Sequence, residues 1–324
     1  MQCVLSVQVP ERLHNMQRFT LPLAIIIGIA AYYIYVNIPL LDGTHDFANH
    51  AVAIIQPLLI FSMLFLTFLT IGPRDLHFHK WHLWHLMIQI GLFTAIAYLL
   101  TKVPDTSHYR ILIESAMLCL LCPTATAAAV VTRKLNGDSA DITTYTILIN
   151  IAIAVTAPAL LPMAHPHPGL TFLPTFMMII AKVFPLLICP LMAAWIVRKC
   201  LPGIASYLRQ FRDLPFYLWA VALSLAIAVT VKAIVHSTVP AAYQVAIAGI
   251  SLICCLFQFL IGKKIGKRYN KEIEGGQALG QKNTVFIIWL GYTFLSPVTA
   301  IAGGMYSVWH NVFNSWQLAR HKEK

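Results

Sequence analysis

Charge is scarce in this sequence. Only 11% of its 324 residues are Asp, Glu, Lys or Arg, and acids are the rarer sign, 12 against 23 bases. Soluble domains carry about 25% charged residues, so an ordinary water-facing surface is excluded. Long polar stretches are missing as well. The longest non-apolar segment, 263–276, is a basic loop, and neither a low-complexity tract nor an extramembrane domain is visible. The chain is instead 58% hydrophobic, with a mean hydropathy of +0.72.

Apolar runs of about 20 residues, the length that crosses a bilayer, fall at 19–40, 47–71, 83–101, 109–131 and 139–163, then at 171–199, 214–236, 241–264, 277–295 and 297–318. They predict an all-α integral membrane protein of ten spans in a lipid bilayer. The first 18 residues are polar and mixed, a tail ahead of a first run too long for a removed signal peptide. The turn HPHPG at 165–169 separates a first five-span unit, 19–163, from a second, 171–318. An odd number of spans per half places the halves in opposite orientation, the inverted-repeat plan of many secondary transporters.

The net charge of +11 raises nucleic acid as a partner, and the placement of the bases decides against it. All lie near one membrane face except Lys102, Arg110, Lys182, Lys232 and Lys282. The positive-inside rule accounts for that bias and makes the rich face, with both termini, cytoplasmic. The expected location is the cytoplasmic membrane. The cysteines, among them Cys119, Cys122, Cys254 and Cys255, fall mostly inside spans, where they read as small buried hydrophobes rather than disulfides.

Two segments break the apolar pattern. CPTATAAAVVTRKLNGD at 122–138 and EGGQALGQKNT at 274–284 put proline, glycine and small polar residues inside the fourth span and around the ninth. Freed backbone groups in hydrocarbon cost several kcal/mol each unless protein or water satisfies them, so such breaks are expected to line a site.

Together with GQKNT at 280–284 and SVWHNVFNSW at 307–316, the first of these motifs resembles the bile acid:sodium symporter family over nearly the whole chain. The resemblance implies unwound fourth and ninth helices that cross at mid-membrane. It also implies a core domain of helices 3–5 and 8–10 that moves against a panel of helices 1, 2, 6 and 7. It places Thr126, His310 and Asn311 at a substrate cleft, with Thr124, Lys282 and Asn283 beside them, and Gln89, Gln277 and Gln281 at cation sites. Sodium is the coupling ion it implies, and a small organic anion the substrate.

The chain departs from the family pattern where sodium would sit. Ala128 and Ala129 stand in place of a serine and an asparagine, Gln277 in place of a glutamate, and Lys282 in place of an asparagine. A hard cation needs several oxygen ligands, usually with a carboxylate nearby. Thr143, Thr144 and Thr146 offer hydroxyls, yet no charge. Proton coupling or uniport is therefore the alternative to sodium symport. Lys282 reads either as a tethered cation facing a cavity or as a snorkelling residue at the cytoplasmic end of its span.

Other residues have plainer readings. Glu114, about 8 Å into its span at 1.5 Å per residue, is expected to pair with Arg110 at the interface. Asp138 and Asp141 are expected to cap the fifth span. HFHKWHLWH at 77–85 is the strongest metal-like signal, and a metal-dependent membrane enzyme is the rival class it suggests. No carboxylate or cysteine set completes a coordination sphere there, and Trp81 with Trp84 reads as an interfacial belt. Trp309 and Trp316 read as packing or belt residues. No cofactor is expected, and nothing in the sequence points to a protein partner.

Overall fold

The computed structural model describes residues 11–322 apart from 73, 75, 105, 106, 108, 167, 168, 212, 213 and 238. Residues 1–10 of the expected tail, two residues of the HPHPG turn, Arg212 and Lys324 thus lie outside the described residues. Thirteen helices follow in order. They are α1 (Glu11–Asn37), α2 (His45–Leu69), α3 (Lys80–Leu100), α4 (Arg110–Leu121), α5 (Ala127–Lys134), α6 (Ser139–Ala164) and α7 (Phe172–Cys200). Then come α8 (Pro202–Gln210), α9 (Leu214–Val235), α10 (Ala241–Lys267), α11 (Glu272–Gly280), α12 (Thr284–Phe294) and α13 (Pro297–Lys322). A 3-10 turn, Pro39–Thr44, joins α1 to α2.

Among the described residues six helices, α2, α3, α6, α7, α9 and α10, are long and apolar enough to cross a membrane. Their outer faces are as apolar as their inner ones. Ile54, Leu83, Val155, Ile196, Val221, Val245 and Ile253 are all exposed, which suits lipid and not water. Polar side chains are turned inward instead, among them Gln89, Asn150, Gln258, Lys282 and His310. This inversion of the soluble pattern makes the chain a multi-pass membrane protein.

Helix contacts run through the whole bundle, with α6 packed along α7. α1 packs on α9, and α2 on α7 and α9. α3, α4, α6, α10, α11 and α13 pack among themselves, while α12 and α13 also touch α9. The tightest approach is α10 on α11, where Gly262 and Gly266 face Gly275 and a Cβ at any of the three would collide with backbone of the other helix. Small residues spaced by four are how membrane helices bring backbones together.

Ionic side chains tie the helix ends. Asp138 caps α6 by accepting from the Ala140 N–H at 2.8 Å, and Glu274 accepts from the Asp138 N–H at 2.7 Å. The Lys271 ammonium lies 2.5 Å from Asp141, 3.5 Å from Asp138 and 3.9 Å from Glu274, and His79 lies 3.0 Å from Asp141. At the other end, Arg110 donates to Glu114 at 3.1 Å and to the carbonyls of Leu100, Val103 and Ala164, which brings a cation to the negative ends of α3 and α6. His165 contacts the same Glu114 oxygen at 2.9 Å. The expected Arg110 pair is present at these helix ends, and both partners are buried.

Three expectations change. Trp81 is buried and stacks on Tyr145 at 5.9 Å, so it is a core residue and only Trp84 is exposed. The second interruption is shorter than 274–284, since Glu272–Gly280 is helical and only Gln281, Lys282 and Asn283 are not. The short helix α8, with Ile204 and Tyr207 exposed beside Arg209, occupies a stretch read from the sequence as a connection.

Candidate functional site

The chain is broken between α4 and α5 and again between α11 and α12, and the two breaks meet. Pro123 carries no N–H and pushes Cys122 out of the helical region, to φ −58 and ψ 137, so α4 ends there. Gln281 is extended, and Asn283 restarts the chain by accepting from the Phe286 N–H at 3.2 Å as the cap of α12. Between them Thr124 and Lys282 form an antiparallel bridge. Ala125 N–H donates to Gln281 O and Asn283 N–H to Pro123 O, both at 2.9 Å.

Carbonyls released at the breaks are taken up by neighbouring side chains, as a dry interior demands. Gln89 of α3 donates to Leu121 O at 3.1 Å and Cys122 O at 2.6 Å, and its own oxygen accepts from Tyr145 at 3.2 Å. Gln258 of α10 donates to Cys119 O at 3.2 Å and to the Tyr306 hydroxyl at 3.0 Å, which itself donates to Gly280 O at 2.9 Å. Thr124 donates to Ala278 O at 2.7 Å and the Cys122 thiol to Asn283 O at 3.0 Å. The carbonyls freed at both breaks thus find donors.

Several side-chain polar atoms have no partner. Lys282 is wholly buried, 0% exposed, and among the described residues its ammonium has no hydrogen-bond partner. The snorkelling reading therefore fails, because the chain bends inward at the residue that carries the charge. The same lack of a partner holds for Gln281 Oε1, Gln277 Oε1, Asn314 Nδ2, His310 Nδ1, Ser307 Oγ and Asn150 Oδ1. Native interiors hold few such atoms, and each calls for an explanation. The set joins two donors, the Lys282 amine and the Asn314 amide nitrogen, to three amide oxygens that only accept, which suits a polar solute able to do both.

Helix α13 supplies much of the set. Ser307, His310, Asn311, Asn314 and Gln317 recur at helical spacing and all are buried, so α13 presents a polar stripe to the interior. Gln277 donates to Asn314 Oδ1 at 2.9 Å and Asn311 donates to Ser307 O at 2.7 Å, while Tyr306 meets His310 edge-on at 5.7 Å. Asn314, Gln258, Tyr145 and Tyr306 were not singled out from the sequence. The signal that finds them is polar residues recurring at helical spacing within apolar spans, as in Ser251 and Gln258 on α10.

Of the sequence-predicted residues, Thr124, Gln281, Lys282, Asn283 and Gln89 come together at the crossing, with Gln277, His310 and Asn311 along the contact of α11 and α13. Thr126, at the start of α5, is half-buried. Thr143 and Thr146 are not drawn in: their hydroxyls donate to Ser139 O and Ile142 O of their own helix, each at 2.9 Å. Helix α6 reaches the site through Tyr145 instead.

In the histidine segment, His79 serves Asp141, the His79 N–H donates to His82 at 3.2 Å, and His85 is held between two carbonyls. Among the described residues no group of three or more His, Cys, Asp or Glu side chains is placed to hold a metal ion. Cys119, Cys122, Cys254 and Cys255 are buried free thiols.

Fold and site together define a class, a multi-pass helical membrane protein with a polar centre built on two interrupted helices. No family model and no curated protein matches the chain.

Proposed function

We propose that this chain is a secondary-active transporter that carries a small organic anion across the cytoplasmic membrane by alternating access. Counting α1, the split pairs α4/α5 and α11/α12, and α13 with the six long helices gives ten spans in two inverted five-helix repeats, with both termini cytoplasmic. The resemblance to the bile acid:sodium symporter family supports this reading and divides the spans into α1, α2, α7 and α9 on one side and the rest on the other. In that plan the first group is the panel and the second the moving core.

One observation carries the proposal: the unpartnered Lys282 ammonium at the point where the two interrupted helices bridge. An isolated ammonium in the bilayer centre costs at least about 2.5–3.5 kcal/mol. A chain that keeps one there without a carboxylate has a use for it. An anionic solute is the counter-ion, bound by Lys282 with Thr124, Thr126, Asn283, His310 and Asn311 around it. The resemblance gives sodium as the coupling ion, with Gln89, Gln277 and Gln281 as its ligands. A proton is the second reading, favoured because the carbonyls at the end of α4 already take amide hydrogens from Gln89 and Gln258.

The test is a thermal-stability screen of detergent-purified protein against small carboxylates and sulfonates, with and without sodium, at two pH values. A true ligand at a hundred times its Kd adds about 2.7 kcal/mol to stability. At least one anion is expected to stabilise the wild type and none the Lys282→Met protein. A wild type that no anion stabilises, or one that carries stoichiometric iron or zinc, sinks the reading and favours a metal-dependent membrane enzyme.

A further inference from the structure

The side chain of His85 has both of its ring nitrogens pointed at carbonyl oxygens. Nδ1 is 2.8 Å from Trp81 O, one turn back on α3, and Nε2 is 3.1 Å from Gly275 O on α11. Carbonyl oxygens only accept, and a neutral imidazole carries a single N–H. One of the two contacts is therefore empty of a hydrogen unless the ring is an imidazolium. The ring is fully buried, so no water from outside reaches it in this conformation.

We propose that His85 is the binding site of the coupling proton, held between α3 and α11 as an imidazolium that donates to Trp81 O and Gly275 O. This inference rests on the transport reading above and deepens it by naming the ion. Gly275 is the residue whose missing side chain lets α11 lie against Gly262 of α10, so its carbonyl is fixed in place by backbone packing. Proton loss forfeits one of the two bonds, and in the tautomer that keeps Nδ1–H on Trp81 O the lost one is the bond between α3 and the interrupted ninth span. Protonation state and the position of α11 are thus linked.

The groups that face His85 explain how an anion and a proton travel together. On its own helix these are His82 and the Trp81 ring, which lies edge-on at 5.0 Å. From α6 comes the Tyr145 ring, at 5.8 Å, and from α10 and α11 the carbonyls of Gly262 and Gly275. From the break comes the Lys282 ammonium, which lies within electrostatic reach. Two cations in one dry interior repel each other. An anion bound at Lys282 removes that repulsion, so anion binding favours proton binding, and by linkage the reverse. One anion and one proton cross together, with no bond made or broken other than the N–H.

Two measurements test the assignment. The first is nitrogen-15 NMR of histidine-labelled protein in sodium-free detergent solution between about pH 5 and 8, with the His85 signals identified by their loss in His85→Gln. Two N–H signals of an imidazolium are expected at the acid end, unchanged by added sodium. A single neutral tautomer throughout overturns the proposal, whatever the protein transports. The second uses proteoliposomes and the carboxylates and sulfonates of the stability screen. His85→Gln is expected to keep solute exchange at equal concentrations and to lose accumulation driven by a pH gradient. Gradient-driven accumulation that survives in His85→Gln overturns it also. A wild type that moves none of these solutes sinks the transport reading, while the NMR result still decides whether His85 holds a proton.

Discussion

Two lysines eleven residues apart show how position decides what a charge is for. Lys271, in the loop before α11, has three carboxylates within 4 Å, whereas Lys282 has no hydrogen-bonding partner among the described residues. For Lys271, partial burial works against the charge, but Asp141, Glu274 and Asp138 outweigh it and hold the ammonium above its ordinary pKa. For Asp138, burial again opposes the charge, and the N–H groups of Ala140 and Asp141 with Lys271 outweigh it and hold the carboxyl below its ordinary value. The signs follow by linkage. The Lys271 contribution is full below the ordinary lysine pKa and is lost as pH rises through its raised value. The Asp138 contribution is full above the ordinary aspartate pKa and is lost as pH falls through its depressed one. Both are therefore intact across the neutral range. Lys271→Met is expected to strand the buried Asp141 carboxylate with only His79. The loss should be about 2 kcal/mol, less than the roughly 3–5 of a fully buried pair, because Lys271 is partly exposed. Thermal melts across pH check this. The deficit should be flat from about pH 6 to 9 and shrink outside that range; equal melting temperatures at neutral pH would show that the cluster does not hold the helix ends.

At the scale of helices, glycine has two opposite uses here. Gly91 on α3 has open space where a Cβ would go, whereas a Cβ on Gly262 of α10 would run into the Gly275 carbonyl. Gly91→Ala should thus gain up to about 1 kcal/mol from helix propensity. Gly262→Ala should lose about 1–3 kcal/mol through overpacking, and with it the α10–α11 seat that fixes Gly275 O beside His85. Melting temperatures moving in opposite directions are the expected outcome; two shifts of the same sign would deny the close approach. The same contact shows where sequence reading stops. The spans were legible because a bilayer demands about 20 apolar residues, and the first break was legible because Pro123 forbids a helix. Glu274 to Gly280 was read as broken because its glycines look like breakers, yet here they serve packing, a use that becomes visible only once α10 is known to lie alongside. Trp81 was misplaced for a similar reason: a tryptophan near the start of a span suits the interface, and only the position of Tyr145 on α6 shows that it faces inward. The stripe from Ser307 to Gln317 was readable in part, as His310 and Asn311. Its remainder follows from knowing which face of α13 meets α11.

For the whole molecule, the proposed rocking of one group of helices on the other has a definite hinge side to test. In the proposed division α9 falls in the panel and α13 in the core, and they meet where Gly304 faces Thr230: a Cβ built on Gly304 would lie 3.0 Å from Thr230 Cβ. Disulfides span Cβ atoms about 3.5–4.5 Å apart, so a cysteine pair at these two positions needs a shift of only about half an ångström. The native thiols Cys119, Cys122, Cys254 and Cys255 are buried, whereas Cys200 is exposed and Cys189 half-buried, so the pair is placed in a background with both of the latter changed to serine. In Thr230→Cys, Gly304→Cys protein, oxidation should fix α9 to α13 in the conformation described and stop solute uptake into proteoliposomes, and reduction should restore it. Anion-induced stabilisation of the oxidised protein separates the two causes of arrest. If the anion still stabilises it, the site survives and only the movement has been blocked, as alternating access requires. Uptake that continues at the wild-type rate with the bond formed would mean that these two helices do not move apart during transport, and that the proposed division into panel and core is wrong.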